Sequence, residues 1–166
     1  LPDGSRLAFV YRETTGEKTE DIRMINPDTM KEEIWMRCSP YAHFICDSQN
    51  RYMVGDAQGS DVPIHLLDSE KQSEADKTKA AEADGEKPEE VRNDFIYLVD
   101  VAKRSEQKLC YHGTSWGAAY GNPQDSHPHP CFTEDGKYVI FVSDREGMPC
   151  IYRVNLQQYQ GKRQEG

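Results

Sequence analysis

The segment EDGKYVIFVSD (134–144) combines a turn signal with a strand, and it decides the fold because the same combination occurs at two other places. SQNRYMVGD (48–56) and PDGSRLAFVY (2–11) repeat the order of a polar turn and then an apolar run typical of a buried strand. Gly4, Asn50 and Gly136 take the same turn position, where glycine and asparagine tolerate a positive φ. The chain therefore contains an internal repeat.

The spacing of the turns predicts an all-β fold, a β-propeller. The turn positions are 46 and 86 residues apart, and the larger spacing includes an insertion, so the period is about 40–46 residues. Further strands are predicted at 22–26, 33–36, 43–46, 95–101, 107–111 and 149–156, with a hairpin turn at PDT (27–29). Four short strands per period are typical of a propeller blade. We expect about three four-stranded blades, in a single partial propeller domain over 1–166.

Residues 68–92 interrupt the repeat. This segment holds nine acidic and five basic residues and few apolar ones other than alanine. Such a composition predicts a solvent-exposed insertion within a blade, disordered or transiently helical. A charged arm that binds substrate is the alternative interpretation.

Composition excludes several classes of protein. The net charge of −9 and the lack of a Lys/Arg stripe disfavour nucleic-acid binding. No apolar run reaches the roughly 18 residues of a membrane span, and no signal peptide is evident. Five cysteines without a CxxC pair predict free, buried thiols and a cytoplasmic protein. Because the chain begins at Leu1 within a repeat unit, we expect it to be the C-terminal part of a longer protein.

The segment QDSHPHP (124–130) holds three potential metal ligands directly before a strand. Pro128 and Pro130 predict an extended backbone for the histidine before each, with both imidazoles on one side. His129 lies seven residues before its turn residue, and His43 lies seven before Asn50. This shared offset predicts a joint site, whereas the spacing within the motif also fits histidines of an ordinary solvated loop.

The turn-strand units resemble the repeats of the TolB and prolyl-oligopeptidase families. A narrower resemblance rests on LCYHGTSW (109–116), QDSHPHP (124–130) and CIYRV (150–154). Together they resemble oligogalacturonate lyases, the seven-bladed pectin-degrading enzymes of polysaccharide lyase family 22, over nearly the whole chain except the insertion.

The resemblance implies a divalent metal ion, usually manganese, held by three histidines and one glutamine. The matching residues are His43, Gln124, His127 and His129. Imidazole and amide ligands suit Mn²⁺, and zinc is an alternative occupant. We expect the four ligands to converge at roughly 2.0–2.3 Å from one ion.

The resemblance also implies an activity, the β-elimination of short oligogalacturonides to unsaturated uronates. The histidine that serves as the base in that family corresponds to a position upstream of Leu1. His112 is the candidate base within the chain, although a structural role is the favoured interpretation, and His65 is a lesser candidate. The alternative function is a non-catalytic, TolB-like propeller module for binding or scaffolding.

Overall fold

The computed structural model describes residues 1–13, 20–57, 93–116 and 126–161. The strands in these ranges form three sheets, followed by a short helix. The first sheet comprises β1 (Leu7–Arg12), β2 (Glu20–Ile25) and β3 (Glu32–Arg37). The second comprises β4 (Tyr41–Cys46), β5 (Tyr52–Ala57), β6 (Phe95–Asp100) and β7 (Ser105–Tyr111). The third comprises β8 (Cys131–Phe132), β9 (Tyr138–Ser143) and β10 (Cys150–Asn155), and the helix α1 spans Gln157–Gly161.

Every strand pair is antiparallel, and neighbours in a sheet are consecutive along the chain. The all-β prediction and the predicted β2–β3 hairpin are confirmed. Each sheet is one of the three expected blades. Among the described residues only the second blade has four strands, and the other two have three each.

The three repeated turns share one conformation. Gly4, Asn50 and Gly136 have φ values of 72°, 57° and 64°, and each donates its backbone N–H to the carbonyl oxygen three residues earlier. Asn50 adopts this left-handed conformation more readily than most residues with a side chain would. The repeat found in the sequence is therefore a structural repeat.

The second blade is buried on both faces. Met53 and Tyr97 pack into a cluster with the first blade, whereas Val54 and Ile96 pack into a cluster with the third. Because side chains alternate along a strand, β5 and β6 are apolar at nearly every position. The alternation also places Asp56 on the face of Val54, toward the third blade.

Several predicted features lie outside the described residues, namely the insertion 68–92, His65 and Gln124. All five cysteines are free as expected, but only Cys38 is fully buried. In the ranges that the structure covers, no helix has both the length and the apolar character needed to cross a membrane.

Candidate metal centre

Three histidines from two neighbouring blades converge on one point. His43 lies on β4, whereas His127 and His129 lie in the segment that enters β8. One ring nitrogen from each histidine lies within 4.8 Å of one from each of the others. The structure thus brings together three of the four residues predicted to hold the ion.

Local backbone features direct these side chains. The pairing of β4 with β5 is irregular between Tyr41 and His43, and such bulges re-aim the residue that follows. On the other blade, the amide of Val142 on β9 donates a hydrogen bond of 2.8 Å to the carbonyl oxygen of Pro128. This bond holds the His127–His129 segment against the third sheet.

The prediction of an extended His129 is wrong. His129 has a φ of 43°, in the left-handed region. Pro130 disfavours the right-handed helical region for the residue before it, but a long-range contact then selects the conformation. The amide of His129 donates to the Oδ2 atom of Asp56 at 3.1 Å, across the blade boundary.

Asp56 is the buried group beneath the histidine cluster. Its side chain is fully buried, and it accepts hydrogen bonds from the His43 amide at 2.7 Å and the His43 Nδ1 atom at 2.9 Å, besides that from His129. A carboxylate can only accept hydrogen bonds, so this contact favours the tautomer of His43 with hydrogen on Nδ1, which leaves a lone pair on Nε2 for a metal ion.

The environment favours a neutral imidazole at His129. Partial desolvation and then the neighbouring His43 lower its pKa, and His127 acts in the same direction, while Asp56 opposes the shift. A neutral ring is the form that binds metal.

Trp116 borders the cluster. Its ring centroid lies 4.9 Å from that of His127, and its ring plane is nearly parallel to that of His43 at 6.4 Å. Hydrogen bonds from Ser115 to Asp144 and from Thr114 to the Val142 carbonyl tie this loop to the third blade. The loop therefore supplies an aromatic wall beside the histidines.

His112 is fully buried under the same loop. Its Nε2 atom lies 3.1 Å from the carbonyl oxygen of Ala57, and its Nδ1 atom accepts the Thr114 amide at 3.0 Å. Both ring nitrogens are thus engaged by backbone groups, which supports a structural role for His112 and leaves no lone pair for a substrate proton.

Sequence reasoning missed Asp56 and Trp116. Asp56 is the last residue of the predicted strand 51–56. Nothing in the local sequence pattern indicated that His43 and His129 would be its hydrogen-bond partners. The available signal was a single acidic residue closing an apolar strand, which is unusual for a position buried on both sides.

The described residues fit the divalent ion that the resemblance implies. Three imidazoles with nitrogens close together form a donor set for divalent first-row metals such as Mn²⁺ or zinc. The carboxylate of Asp56 orients one of them from behind, as outer-sphere carboxylates commonly do for metal-bound histidines. Gln124, the fourth expected ligand, lies outside the described residues.

Comparisons with solved structures identify the fold. The chain is similar to an oligogalacturonate lyase from Vibrio parahaemolyticus, with a TM-score of 0.68 and 32% identity over 93% of this chain and 34% of that one. It is similar to an oligogalacturonate lyase in complex with manganese, with a TM-score of 0.66 and 25% identity over 93% and 33% of the two chains. TolB from Acinetobacter baumannii, at 19% identity and a TM-score of 0.55 over 93% and 28%, shares the fold. The chain is therefore part of a β-propeller, as predicted.

Sequence comparisons give the same family. The oligogalacturonide lyase of Pectobacterium atrosepticum is 31% identical over 94% of this chain and 35% of its own length. The oligogalacturonate lyase of Dickeya dadantii is 29% identical over the same shares. The chain thus spans about a third of the length of these relatives. The family model described as "Oligogalacturonate lyase" matches residues 1–159, and on that match the chain belongs to the oligogalacturonate lyase family.

Proposed function

We propose that this chain forms the metal-binding part of an enzyme that cleaves short oligogalacturonides by β-elimination. The observation that carries the proposal is the convergence of His43, His127 and His129 in a member of this family. Gln124 completes the proposed ligand set. The manganese bound by one structural neighbour makes Mn²⁺ the proposed ion.

The ligand chemistry suits an anionic sugar. Imidazole and amide ligands are neutral, so they leave the charge of the ion available to attract a uronate carboxylate. In the elimination, the C5 proton leaves, the C4–O bond breaks and its electrons depart with the leaving group as a C4–C5 double bond forms. A divalent ion held by these residues would supply Lewis acidity, which would stabilise the negative charge that develops on the carboxylate.

The chain's own residues prepare this site for the substrate. Asp56 orients His43, and the bond from Val142 to Pro128 holds the segment that carries His127 and His129. Trp116 lies against one side of the cluster, with its ring centroid 4.9 Å from that of His127. Because both nitrogens of His112 bond to backbone atoms, we propose that His112 is not the proton-accepting base. The family resemblance implies a histidine that corresponds to a position upstream of Leu1.

The family match favours an enzyme over the alternative of a non-catalytic propeller module, since the likeness to TolB concerns the fold alone. Five free cysteines support a cytoplasmic location, because reducing compartments keep thiols unpaired. On its own, the 166-residue chain should bind a divalent ion weakly and cleave oligogalacturonides negligibly, because it spans only a third of its relatives.

The test uses the natural gene product, at whatever length it is encoded, with short oligogalacturonides and the ultraviolet absorbance of the unsaturated product. A chelator should abolish turnover and Mn²⁺ should restore it. His127→Ala should lower kcat/KM by about 100-fold or more, because Lewis-acid stabilisation is worth several kcal/mol. Lys137→Ala, at the exposed turn before β9, is the control and should retain activity.

Turnover that resists the chelator and survives His127→Ala would refute metal dependence. Robust, chelator-sensitive turnover by the 166-residue chain itself would instead show that a base lies within it, and His112 would be the first candidate.

A further inference from the structure

Asp56 links the two blades that supply the histidines. One carboxylate oxygen, Oδ2, lies 2.9 Å from Nδ1 of His43 and 3.1 Å from the amide nitrogen of His129. These partners are 13 and 73 positions away in sequence. A single atom therefore fixes the ring of one histidine and the backbone of another.

The burial of this carboxylate needs a physical reason. Burying an ionised group is costly unless hydrogen bonds and a compensating charge accompany it. Amides of His43 and His129 and the ring of His43 supply the hydrogen bonds. A divalent cation at the adjacent nitrogens would supply the charge.

We propose that Asp56 is the positioning residue of the metal centre, which selects the tautomer of His43 and aligns His43 with His129 across the blade boundary. The inference rests on the proposed function, since it concerns the same ion. Asp56 does not touch the ion or the substrate, but acts through the two histidines.

The tautomer effect has a definite direction. With Asp56 ionised, the His43 Nδ1 atom carries the hydrogen and Nε2 keeps its lone pair. Asp56→Asn has one side-chain oxygen and no charge, so it cannot accept the His43 amide through one oxygen and both His43 Nδ1 and the His129 amide through another. The loss of the carboxylate charge weakens the preference for hydrogen on Nδ1, so a larger share of His43 carries hydrogen on Nε2, the proposed ligand atom.

Asp56 also acts on the backbone of His129, and this effect adds to the effect on the tautomer of His43. His129 has a φ of 43°, a left-handed conformation that is unfavourable for an L-residue. The hydrogen bond to Asp56 offsets that penalty in the folded chain. Without it, we expect the His127–His129 segment to relax and the third imidazole to lose its alignment.

The experiment measures Mn²⁺ affinity of the natural gene product by the electron paramagnetic resonance signal of free Mn²⁺. Asp56→Asn should weaken binding about 10- to 100-fold, the usual range for loss of an outer-sphere partner. The matched control is Asp47→Asn in the same hairpin. Asp47 is 2% exposed and also accepts backbone amides, from Arg51 and Tyr52, but none of its hydrogen bonds reaches a histidine. The Asp47→Asn protein should bind Mn²⁺ with unchanged affinity.

A second measurement reads the tautomer without metal. Long-range ¹H–¹⁵N spectra of the ion-free protein, with histidine labelled and the pH near 8 so that imidazoles of ordinary pKa are neutral, report which ring nitrogen carries hydrogen. We expect hydrogen on Nδ1 of His43 in the unsubstituted protein and a smaller share of it on Nδ1 in Asp56→Asn. The first half of this test needs no variant, so it stands even where Asp56→Asn fails to fold.

The outcomes separate the two proposals. Unchanged Mn²⁺ affinity in folded Asp56→Asn, equal losses in Asp47→Asn, or hydrogen on Nε2 of His43 in the unsubstituted protein would each overturn the role of Asp56. Absence of Mn²⁺ binding by the unsubstituted protein would refute the proposed function, and the tautomer would still decide what Asp56 does to His43.

Discussion

The β4–β5 hairpin has a buried carboxylate at each end, and the two have different kinds of partner. At the turn, Asp47 accepts the amides of Arg51 and Tyr52 and the guanidinium of Arg51, all within five residues. At the other end, Asp56 accepts groups from His43 and from His129 in the next blade. Asp47 therefore stabilises a single hairpin, whereas Asp56 joins two blades at the candidate metal centre.

The contrast has a thermodynamic consequence. Changes at the turn should alter the free energy of unfolding and leave ion affinity alone, because the turn contacts no candidate ligand. Changes at the Asp56 end should mainly alter the affinity for the ion. Four experiments test or refine this division.

The largest effect should come from removing a ligand. His129→Ala should weaken Mn²⁺ binding about 100-fold or more, since four-ligand zinc sites bind with about 10–16 kcal/mol, an average of roughly 3 kcal/mol per ligand. Competition with a chelator of known affinity measures the change. If His129→Ala binds Mn²⁺ as tightly as the unsubstituted protein, His129 is not a ligand. The Asp56 end of the hairpin would then not be connected to ion binding through His129.

His112→Ala should act on stability although His112 lies near the site. Removal of the ring leaves the Thr114 amide and the Ala57 carbonyl without their partner and opens a cavity, so we expect a loss of about 2–4 kcal/mol. Urea unfolding measures it. A loss below about 0.5 kcal/mol together with abolished turnover would instead identify His112 as the base.

At the turn, Asn50→Ala should reduce the free energy of unfolding by about 1 kcal/mol, because alanine tolerates the φ of 57° less well than asparagine. Asn50→Gly is the control and should be close to neutral, since glycine adopts this conformation freely. Both variants should bind Mn²⁺ normally. A change in ion affinity in either would show that the two ends of the hairpin are coupled.

The smallest effect concerns pH. The folded state lowers the pKa of His129, so the folded chain binds this proton less tightly than the unfolded chain does. Stability from this residue is therefore present above the ordinary pKa near 6.5 and is lost as the pH falls through it toward the lowered value.

Urea unfolding of the ion-free protein at pH 7 and pH 5 should show this loss, and His129→Gln should lessen the difference between the two conditions. An undiminished difference in His129→Gln would assign the pH dependence to other groups.

The same contrast explains which features the sequence could predict. The turns at Gly4, Asn50 and Gly136 depend on residues within a few positions, and their shared pattern was visible as a repeat. The convergence of His43 with His129 was also predictable, because equal offsets from equivalent turns place two residues at equivalent points of adjacent blades. Apolar patterns predicted that the strands exist, with ends within two residues of the observed ones.

The prediction failed where a distant contact overrides local chemistry. Pro130 correctly predicted that His129 avoids the right-handed helical conformation. The hydrogen bond to Asp56, 73 positions away, then selects the left-handed conformation and not the extended one. The local signal of Asp56, an acidic residue at the end of an apolar strand, did not identify its partners, because these become neighbours only after the second and third blades pack together. Gln124 was assigned by resemblance and stays a prediction.

The position of Trp116 gives the protein an intrinsic optical reporter. Its indole lies 4.9 Å from His127, whereas Trp35 is buried in the cluster between the first and second blades. Unpaired electrons of Mn²⁺ at the histidines should quench the emission of Trp116, while closed-shell Zn²⁺ lacks such electrons. The difference in fluorescence between the two ions would then follow occupancy of the centre during folding or turnover, with Trp35 as a constant background and no added label.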